Sequence, residues 1–203
     1  KININDRNYT DWKVYDALTL NEVEKMPIDP SVEKLFYGDV FEYRTNTQTV
    51  KLIHSTIRSI VSIPGILVLN GGKTFGKAIG KVSGNINDKY LYKCIPDDKR
   101  IPIFTIPFAL KIGFSKNIDN KYVIFQFDNW TGKHPQGTLL NVLGDVDILV
   151  NYYEYQLYCK SLYASIQTFN KTTSDALKKQ TEPEFINTMI EKYSLVDRTS
   201  EKI

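Results

Sequence analysis

The main pattern along the chain is a series of short segments in which apolar and polar residues alternate. They are rich in β-branched and aromatic residues, which favour strands. Turn-forming residues separate them every ~8–12 positions, and the clearest examples are Val40–Tyr43, Lys51–Ile63, Ile66–Leu69, Tyr90–Ile95, Ile101–Ile106 and Tyr122–Phe127. Strands and helices do not alternate as in a βαβ protein. The pattern therefore predicts a mostly β fold, either a barrel or a sandwich.

Helical spacing is confined to the two ends of the chain. Leu18–Met26 predicts one short helix near the N-terminus. Near the C-terminus, apolar residues recur at helical spacing at Tyr155, Tyr158, Leu162, Ile166 and Phe169. A strand over Tyr153–Cys159 is an alternative, because that piece also alternates. Lys171–Ser174 predicts a polar break, and Thr181–Glu184 predicts a capped helix start with an early proline.

Composition narrows the choice of function without deciding it. The chain has 203 residues, 42% hydrophobic and 24% charged, with 13 Tyr and 10 Phe. A net charge of +3 is too small for a protein that coats nucleic acid through its overall charge, so any such binding must depend on local clusters. Cys94 and Cys159 form no C-x-x-C pair, so we expect free thiols and no zinc site. No apolar segment approaches the ~18 residues needed to cross a membrane.

Several motifs are weak. Gly71–Lys77 nearly matches a phosphate-binding loop, but Ala78 stands where the magnesium-binding hydroxyl belongs, and glycines follow at 80 and 84. A hairpin turn and a glycine-rich loop explain it better. His54 and His134 have no metal-ligand partner at short spacing. Two acidic pairs, Asp97 with Asp98 and Asp145 with Asp147, are more typical of turn caps than of a metal site.

Basic and aromatic residues concentrate between residues 97 and 145. Lys99 and Arg100 precede a strand whose next aromatic residue is Phe104, and a second group comprises Lys121, Trp130, Lys133 and His134. Proteins that bind single strands combine a cationic groove with aromatic side chains on which bases stack. A solvated strand edge carrying Lys and Arg is an equally good explanation from composition alone.

Residues 88–148 resemble the second cold-shock-like domain of the ribonuclease II family, in particular its exosome-type exoribonuclease branch and viral relatives. The resemblance rests on four motifs in the family's order, namely Asp98-Lys99-Arg100-Ile101-Pro102-Ile103-Phe104-Thr105-Ile106, Val123-Ile124-Phe125-Gln126-Phe127-Asp128-Asn129-Trp130, His134-Pro135-Gln136-Gly137 and Leu143-Gly144-Asp145-Val146. More loosely, Asp6–Thr10 and Gly38–Val40 are similar to the opening and the end of the family's first cold-shock-like domain.

The resemblance implies two OB-fold barrels in tandem followed by a short helical tail. We expect a first cold-shock-like domain over residues 1–48, incomplete in its strands, a second over 49–155, and a helical linker over 156–203. In the family this linker leads to a catalytic domain whose aspartates hold Mg²⁺. That aspartate signature is absent here, so we expect no catalytic site and no cofactor in this chain, which would be the N-terminal part of a longer nuclease.

The function expected from the resemblance is to bind single-stranded RNA and guide it to a 3′→5′ exoribonuclease site. The expected RNA-binding residues are Lys99, Arg100, Phe104, Lys133, His134, Trp130, Arg58 and Arg7. Phe104, Tyr122 and Trp130 either stack on bases or fill the barrel. The expected setting is an exosome-like or other RNA-processing assembly, away from membranes, in the cytoplasm or the nucleus. Two alternatives stay open, a stand-alone single-strand-binding OB protein and a β-rich interaction module.

Overall fold

The structure, a computed structural model, describes residues 1–24, 26–78, 89–110, 118–162, 164–179, 181–196 and 198. The chain divides into two units, Lys1–Leu162 and Tyr163–Ile203. Strands predominate in the first unit, and the second is helical. Among the helices of these residues, none has the length and apolar character that a membrane span requires.

The described residues of the first unit form ten strands and two helices. In chain order they are β1 (Ile2–Ile4), β2 (Trp12–Val14), β3 (Val40–Arg44), β4 (Thr49–His54), α1 (Thr56–Ser59), β5 (Ile63–Val68), β6 (Thr74–Lys77), β7 (Tyr90–Pro96), β8 (Phe104–Phe108), β9 (Lys121–Asn129), β10 (Gln136–Asp145) and α2 (Leu149–Cys159).

Five of these strands close into a barrel. Strand β5 pairs antiparallel with both β7 and β9, β7 pairs antiparallel with β8, and β9 pairs antiparallel with β10. The barrel closes through a parallel contact between β8 and β10. Strand β6 continues alongside β7 beyond the end of β5. A five-stranded barrel that begins with a three-stranded meander and closes through one parallel contact is typical of the OB fold. The prediction of a mostly β protein with an OB barrel is therefore confirmed.

Glycines let the barrel accommodate a large aromatic side chain. The Phe125 ring lies between the backbones of β5 and β10, and a Cβ atom would come within 3.0 Å of it at Gly65 and within 2.8 Å at Gly137. Phe104 packs against the same ring, with 5.0 Å between ring centroids. Small barrels have little interior volume, so large residues on one strand require small ones on its neighbours. This explains the glycine in the His-Pro-Gln-Gly motif.

The N-terminal segment, residues 1–54, forms two separate two-stranded sheets, β1 with β2 and β3 with β4. Its own small core contains Ile2, Ile4, Val14 and Leu35. Among its described residues we find no closed barrel, so the first of the two predicted barrels stays a prediction. Phe36 belongs to this segment, but its side chain lies fully buried in the core of the OB barrel. The boundary predicted at residue 48 thus separates pieces of chain that share a core.

Helix α2 covers one side of the barrel through a small aromatic cluster. Tyr155 stacks on Tyr122 of β9 with 4.4 Å between ring centroids, and Leu143 of β10 is buried beside them. The side chain of Asn151 lies directly over Gly144 and donates a hydrogen bond to the carbonyl oxygen of Asp145. Gly144 has a φ of +140°, and a Cβ there would clash with the side chain of Asn151. The Leu-Gly-Asp motif therefore permits both the turn and the docking of α2.

The residues that the structure describes in the second unit form two amphipathic helices, α3 (Ile166–Leu177) and α4 (Glu182–Tyr193). Helix α4 begins at the predicted capping box, in which Thr181 and Glu184 bond each other's backbone. The predicted break at Lys171–Ser174 is wrong, because α3 runs through it from its Ser165 cap.

Hydrogen bonds between side chains and the nearby backbone explain why two further predicted elements are not formed. The predicted helix at Leu18–Met26 is wrong, because the Asp16 carboxylate accepts the backbone N–H groups of Leu18 and Thr19 and closes a turn instead. Leu20 then adopts a φ of +60°. The predicted continuous strand Lys51–Ile63 is interrupted, because the Ser55 hydroxyl caps the short helix α1. The strand alternative for Tyr153–Cys159 is also wrong, because that piece belongs to α2.

Candidate nucleic-acid interface

Strand β7 carries a lysine on its outer face, which is the face directed away from the barrel core. Strand β7 alternates, with Tyr92 and Cys94 buried and Lys93 between them half-buried on the opposite side. Lys93 pairs in register with Thr105 of β8. In OB folds the outer face of the second and third strands, here β7 and β8, is the surface that binds oligonucleotides.

The loop between β9 and β10, residues 130–135, is tied to this surface. The backbone N–H of Thr105 donates to the carbonyl oxygen of Pro135 at 2.9 Å. That bond holds the preceding residues, exposed Lys133 and half-buried His134, beside the β7–β8 face. Lys93 pairs with Thr105, Thr105 is bonded to Pro135, and Pro135 directly follows His134. These connections place Lys93, Lys133 and His134 together.

An aromatic ring completes the group. Phe75 of β6 meets His134 edge to face, with 5.5 Å between ring centroids. It is 43% exposed, which leaves ring surface for a ligand. We call Phe75, Lys93, Lys133 and His134 the β7–β8 site. Sequence reasoning identified Lys133 and His134 but missed the other two. Alternation in Tyr90–Ile95 could have indicated Lys93, whereas Phe75 lies in a glycine-rich stretch with no clear period.

The electrostatic environment of this site is positive. Burial, followed by the charges of Lys133 and Lys93, lowers the pKa of His134 below its ordinary value of 6.5. The imidazole is therefore mostly neutral at pH 7 in the free protein. The arrangement can hold an anion between two ammonium groups and place a flat ring beside it.

Residues 91–153 match the family model of the Dis3-like cold-shock domain 2. The match begins in β7 and ends in α2, so it includes most of β7, the whole of β8, β9 and β10, the β9–β10 loop and the start of the helix. This match is consistent with the second cold-shock-like domain of the ribonuclease II family, which the sequence motifs resemble. A search of curated proteins found no match to the chain.

A second group of predicted residues lies at the opposite end of β7 in the OB barrel. Lys99 is exposed on the β7–β8 turn, and together with Arg7 and Asn8 it lines an open cavity of about 370 Å³. Arg7 donates to the carbonyl oxygen of Pro96 at 3.2 Å, which ties the N-terminal segment to the turn. Asp6 also lines the cavity, and its negative charge offsets that of Arg7.

Arg100 is engaged within the turn itself. Its guanidinium donates to both carboxylate oxygens of Asp98, at 2.9 and 2.7 Å, and lies 3.8 Å from the centroid of the Tyr37 ring. Burial raises the pKa of Asp98, but the hydrogen bonds from Arg100 and the charge of Arg7 outweigh it, so the net pKa is lowered. Part of the hydrogen-bonding capacity of Arg100 is therefore already committed to Asp98.

The predicted aromatic residues are inside the protein. Phe104 is 0% exposed and Trp130 only 8%. Trp130 packs on Phe36, with 4.8 Å between ring centroids. Tyr122 is buried under α2. Neither Phe104 nor Trp130 can stack on a base, and this prediction is corrected: both fill the barrel, which was the alternative open at the sequence level.

The guanidinium of Arg58 is also engaged in contacts within the protein. One of its Nη atoms donates to the carbonyl oxygen of Lys34 at 2.8 Å, and its guanidinium lies 5.0 Å from the Phe127 ring centroid and 5.5 Å from that of Phe36. These contacts fasten the N-terminal segment to the barrel, so Arg58 does not join the β7–β8 site.

The weaker motifs have structural explanations. Asn70–Gly72 forms a turn in which Gly71 and Gly72 have positive φ, and strand β6 follows it. Residues 79–88, with Gly80 and Gly84, lie outside the described residues. Asp145 pairs with Lys121 across β9 and β10, and Asp97 accepts a hydrogen bond from Tyr155. Across the described parts of the chain, no three His, Cys, Asp or Glu side chains come together as a metal site would require.

Proposed function

We propose that this protein binds single-stranded RNA on the outer face of its cold-shock barrel, as the RNA-guiding region of a ribonuclease II-like 3′→5′ exoribonuclease. The observation that carries the proposal is the β7–β8 site, where Lys93, Lys133 and His134 lie beside the half-exposed ring of Phe75. The match of residues 91–153 to a cold-shock family supports it.

The chemistry of the site suits a single strand. Lys93 and Lys133 can pair with phosphates, and the free part of the Phe75 ring can stack on a base whatever its identity. The OB surface reads an unpaired strand because bases must be turned out to reach such a ring. The expected binding is therefore sensitive to salt and weakly selective for sequence.

In the proposed enzyme, bond cleavage belongs to a catalytic domain in which aspartates hold Mg²⁺. The cold-shock barrel would deliver the 3′ end to it, within an exosome-like or other RNA-processing assembly in the cytoplasm or the nucleus. A magnesium-dependent nuclease assay with these 203 residues should show no degradation. Processive degradation by the chain alone would contradict this division of roles.

Replacing Lys93 and Lys133 together by alanine should weaken RNA binding about tenfold or more at low salt, because two phosphate contacts are lost. The plot of log affinity against log salt concentration should also lose a slope of roughly 0.7 for each phosphate released. Fluorescence anisotropy with labelled oligouridine across a salt series measures both quantities.

Phe75→Ala should weaken binding by about 1–3 kcal/mol with little change of salt slope, because a base loses its stacking partner.

Matched controls separate this site from the other cations. Lys51→Ala removes one positive charge from the exposed side of β4 and should leave affinity within about twofold. Arg100→Ala should lower the free energy of unfolding by about 1 kcal/mol or less, because the ion pair with Asp98 is partly exposed to solvent, while affinity changes little. Equal weakening by Lys51→Ala and by the Lys93 and Lys133 variant would mean that binding reflects overall charge, and the site assignment would be wrong.

A protein-interaction module is the second candidate. Helix α2 exposes Leu149, Val150 and Tyr153, each more than half accessible to solvent, on the outside of the barrel. Such apolar exposure is typical of a surface that contacts another protein. Absence of salt-sensitive RNA binding would favour this candidate, and binding without any nuclease partner would favour a stand-alone single-strand-binding protein.

A further inference from the structure

His134 is held in place at the centre of the β7–β8 site. The Phe75 ring meets its imidazole with an interplanar angle of 79°. The next residue, Pro135, is fixed through its carbonyl oxygen to the backbone N–H of Thr105. The position of the imidazole is therefore set by contacts of its loop to β6 and to β8.

The charges that act on this imidazole are positive. Its own loop contributes Lys133 and β7 contributes Lys93. Strand β6 contributes the Phe75 ring and carries Lys77, with Lys73 just before it, while β8 contributes the neutral Thr105. The acidic residue at the end of β9, Asp128, accepts a hydrogen bond from Asn129.

We propose that Lys93, Lys133 and His134 form one phosphate subsite, and that His134 takes up a proton from solvent when a phosphodiester occupies it. This inference rests on the proposed RNA-binding function and adds the chemistry of recognition. In the free protein, burial and the two ammonium groups disfavour the protonated imidazole. A bound phosphodiester oxygen offsets their repulsion and accepts a hydrogen bond from the imidazolium N–H, so the protonated form becomes the favoured one.

The direction of the resulting pH dependence follows from linkage. The pKa of His134 lies below 6.5 in the free protein and rises when a phosphodiester is bound. Between these two values the complex holds one more proton than the free protein. Affinity for RNA therefore increases as pH falls, by up to about tenfold per pH unit in that window. Above the pKa of the complex, affinity becomes independent of pH.

The test is a titration of the whole chain with fluorescent oligouridine at constant ionic strength, between about pH 5 and pH 8. The oligonucleotide carries hydroxyl groups at both ends, so no terminal phosphate titrates in this range. Wild type should bind more tightly at lower pH. His134→Gln should lose that pH dependence, and His134→Lys, which carries a fixed charge, should bind at high pH about as tightly as wild type does at low pH.

The second histidine provides the matched control. His54 is exposed on β4, and His54→Gln should keep the wild-type pH profile. NMR titration of the His134 ring protons, with and without oligouridine, should show the higher pKa in the complex. A pH dependence that persists in His134→Gln would overturn the inference and leave the proposed function standing. Absence of salt-sensitive binding at every pH would overturn the proposed function itself.

Discussion

Replacing Phe36 by alanine should lower the free energy of unfolding of the first unit by about 3–5 kcal/mol. Phe36 is fully buried, lies parallel to Phe104 with 5.9 Å between ring centroids, and meets Phe127 edge to face at 5.6 Å. Its removal leaves a cavity at the junction of the N-terminal segment and the barrel. Because small domains are stable by only about 5–15 kcal/mol, this loss would unfold a large fraction of the protein on mild heating.

The measurement is urea denaturation followed by tryptophan fluorescence, since Trp130 lies against the Phe36 ring. Phe36→Leu should lose much less, about 1–1.5 kcal/mol, because it keeps most of the volume. Val32→Ala is the matched control, since Val32 belongs to the same segment and is 69% exposed, and its effect should stay within about 0.5 kcal/mol. A loss below about 1 kcal/mol for Phe36→Ala would show that the two parts do not depend on a shared core.

Replacing Gly137 by valine should destabilise the barrel by about 3 kcal/mol or more, through overpacking. A Cβ at this position would lie 2.8 Å from the Phe125 ring and 2.9 Å from the carbonyl oxygen of Gln126. The carbonyl belongs to the paired strand β9, so it cannot move without breaking the ladder between β9 and β10. The branched side chain adds further atoms in the same place.

Gly132 offers the comparison for this second substitution. It lies in the β9–β10 loop, and a Cβ there would contact nothing within 4 Å. Gly132→Ala should change the free energy of unfolding by less than about 0.5 kcal/mol. Thermal denaturation followed by far-UV circular dichroism measures both variants. Equal stability of Gly137→Val and Gly132→Ala would contradict the packing described for the barrel interior.

The predicted RNA-binding residues divide into three groups because of their partners. Among the basic ones, Lys133 and His134 join the β7–β8 site, and Lys99 and Arg7 line a cavity at the other end of β7. Arg100 and Arg58 form the third group, because Arg100 pairs with Asp98 and Arg58 donates to the carbonyl oxygen of Lys34. The charge of a side chain is visible in the sequence, whereas an ion pair or a cation–π contact that occupies it is not. Only cations with an accessible head group can bind phosphate at low cost, since others must first lose a partner.

Aromatic residues illustrate the same limit. A strand of alternating aromatics is compatible with stacking on bases and with filling a barrel, since both need large flat side chains. Phe104 and Trp130 are in the core because β8 and the end of β9 turn them inward. Phe75 lies outside, on a short strand that continues β5 beyond the barrel. No periodicity over four residues could have predicted that position.

The sequence by itself determined the mostly β fold, the barrel strands β7 and β9, the turn at Asn70–Gly72 and the capped start of α4. These features depend on neighbouring residues, through side-chain alternation, glycine conformations and caps. Only the tertiary structure decided that Phe36 fills the barrel, that Arg58 and Arg100 are engaged internally, and that Lys93, Phe75 and His134 meet. Those contacts join residues far apart in the chain, and their formation depends on how the strands close, which no local pattern encodes.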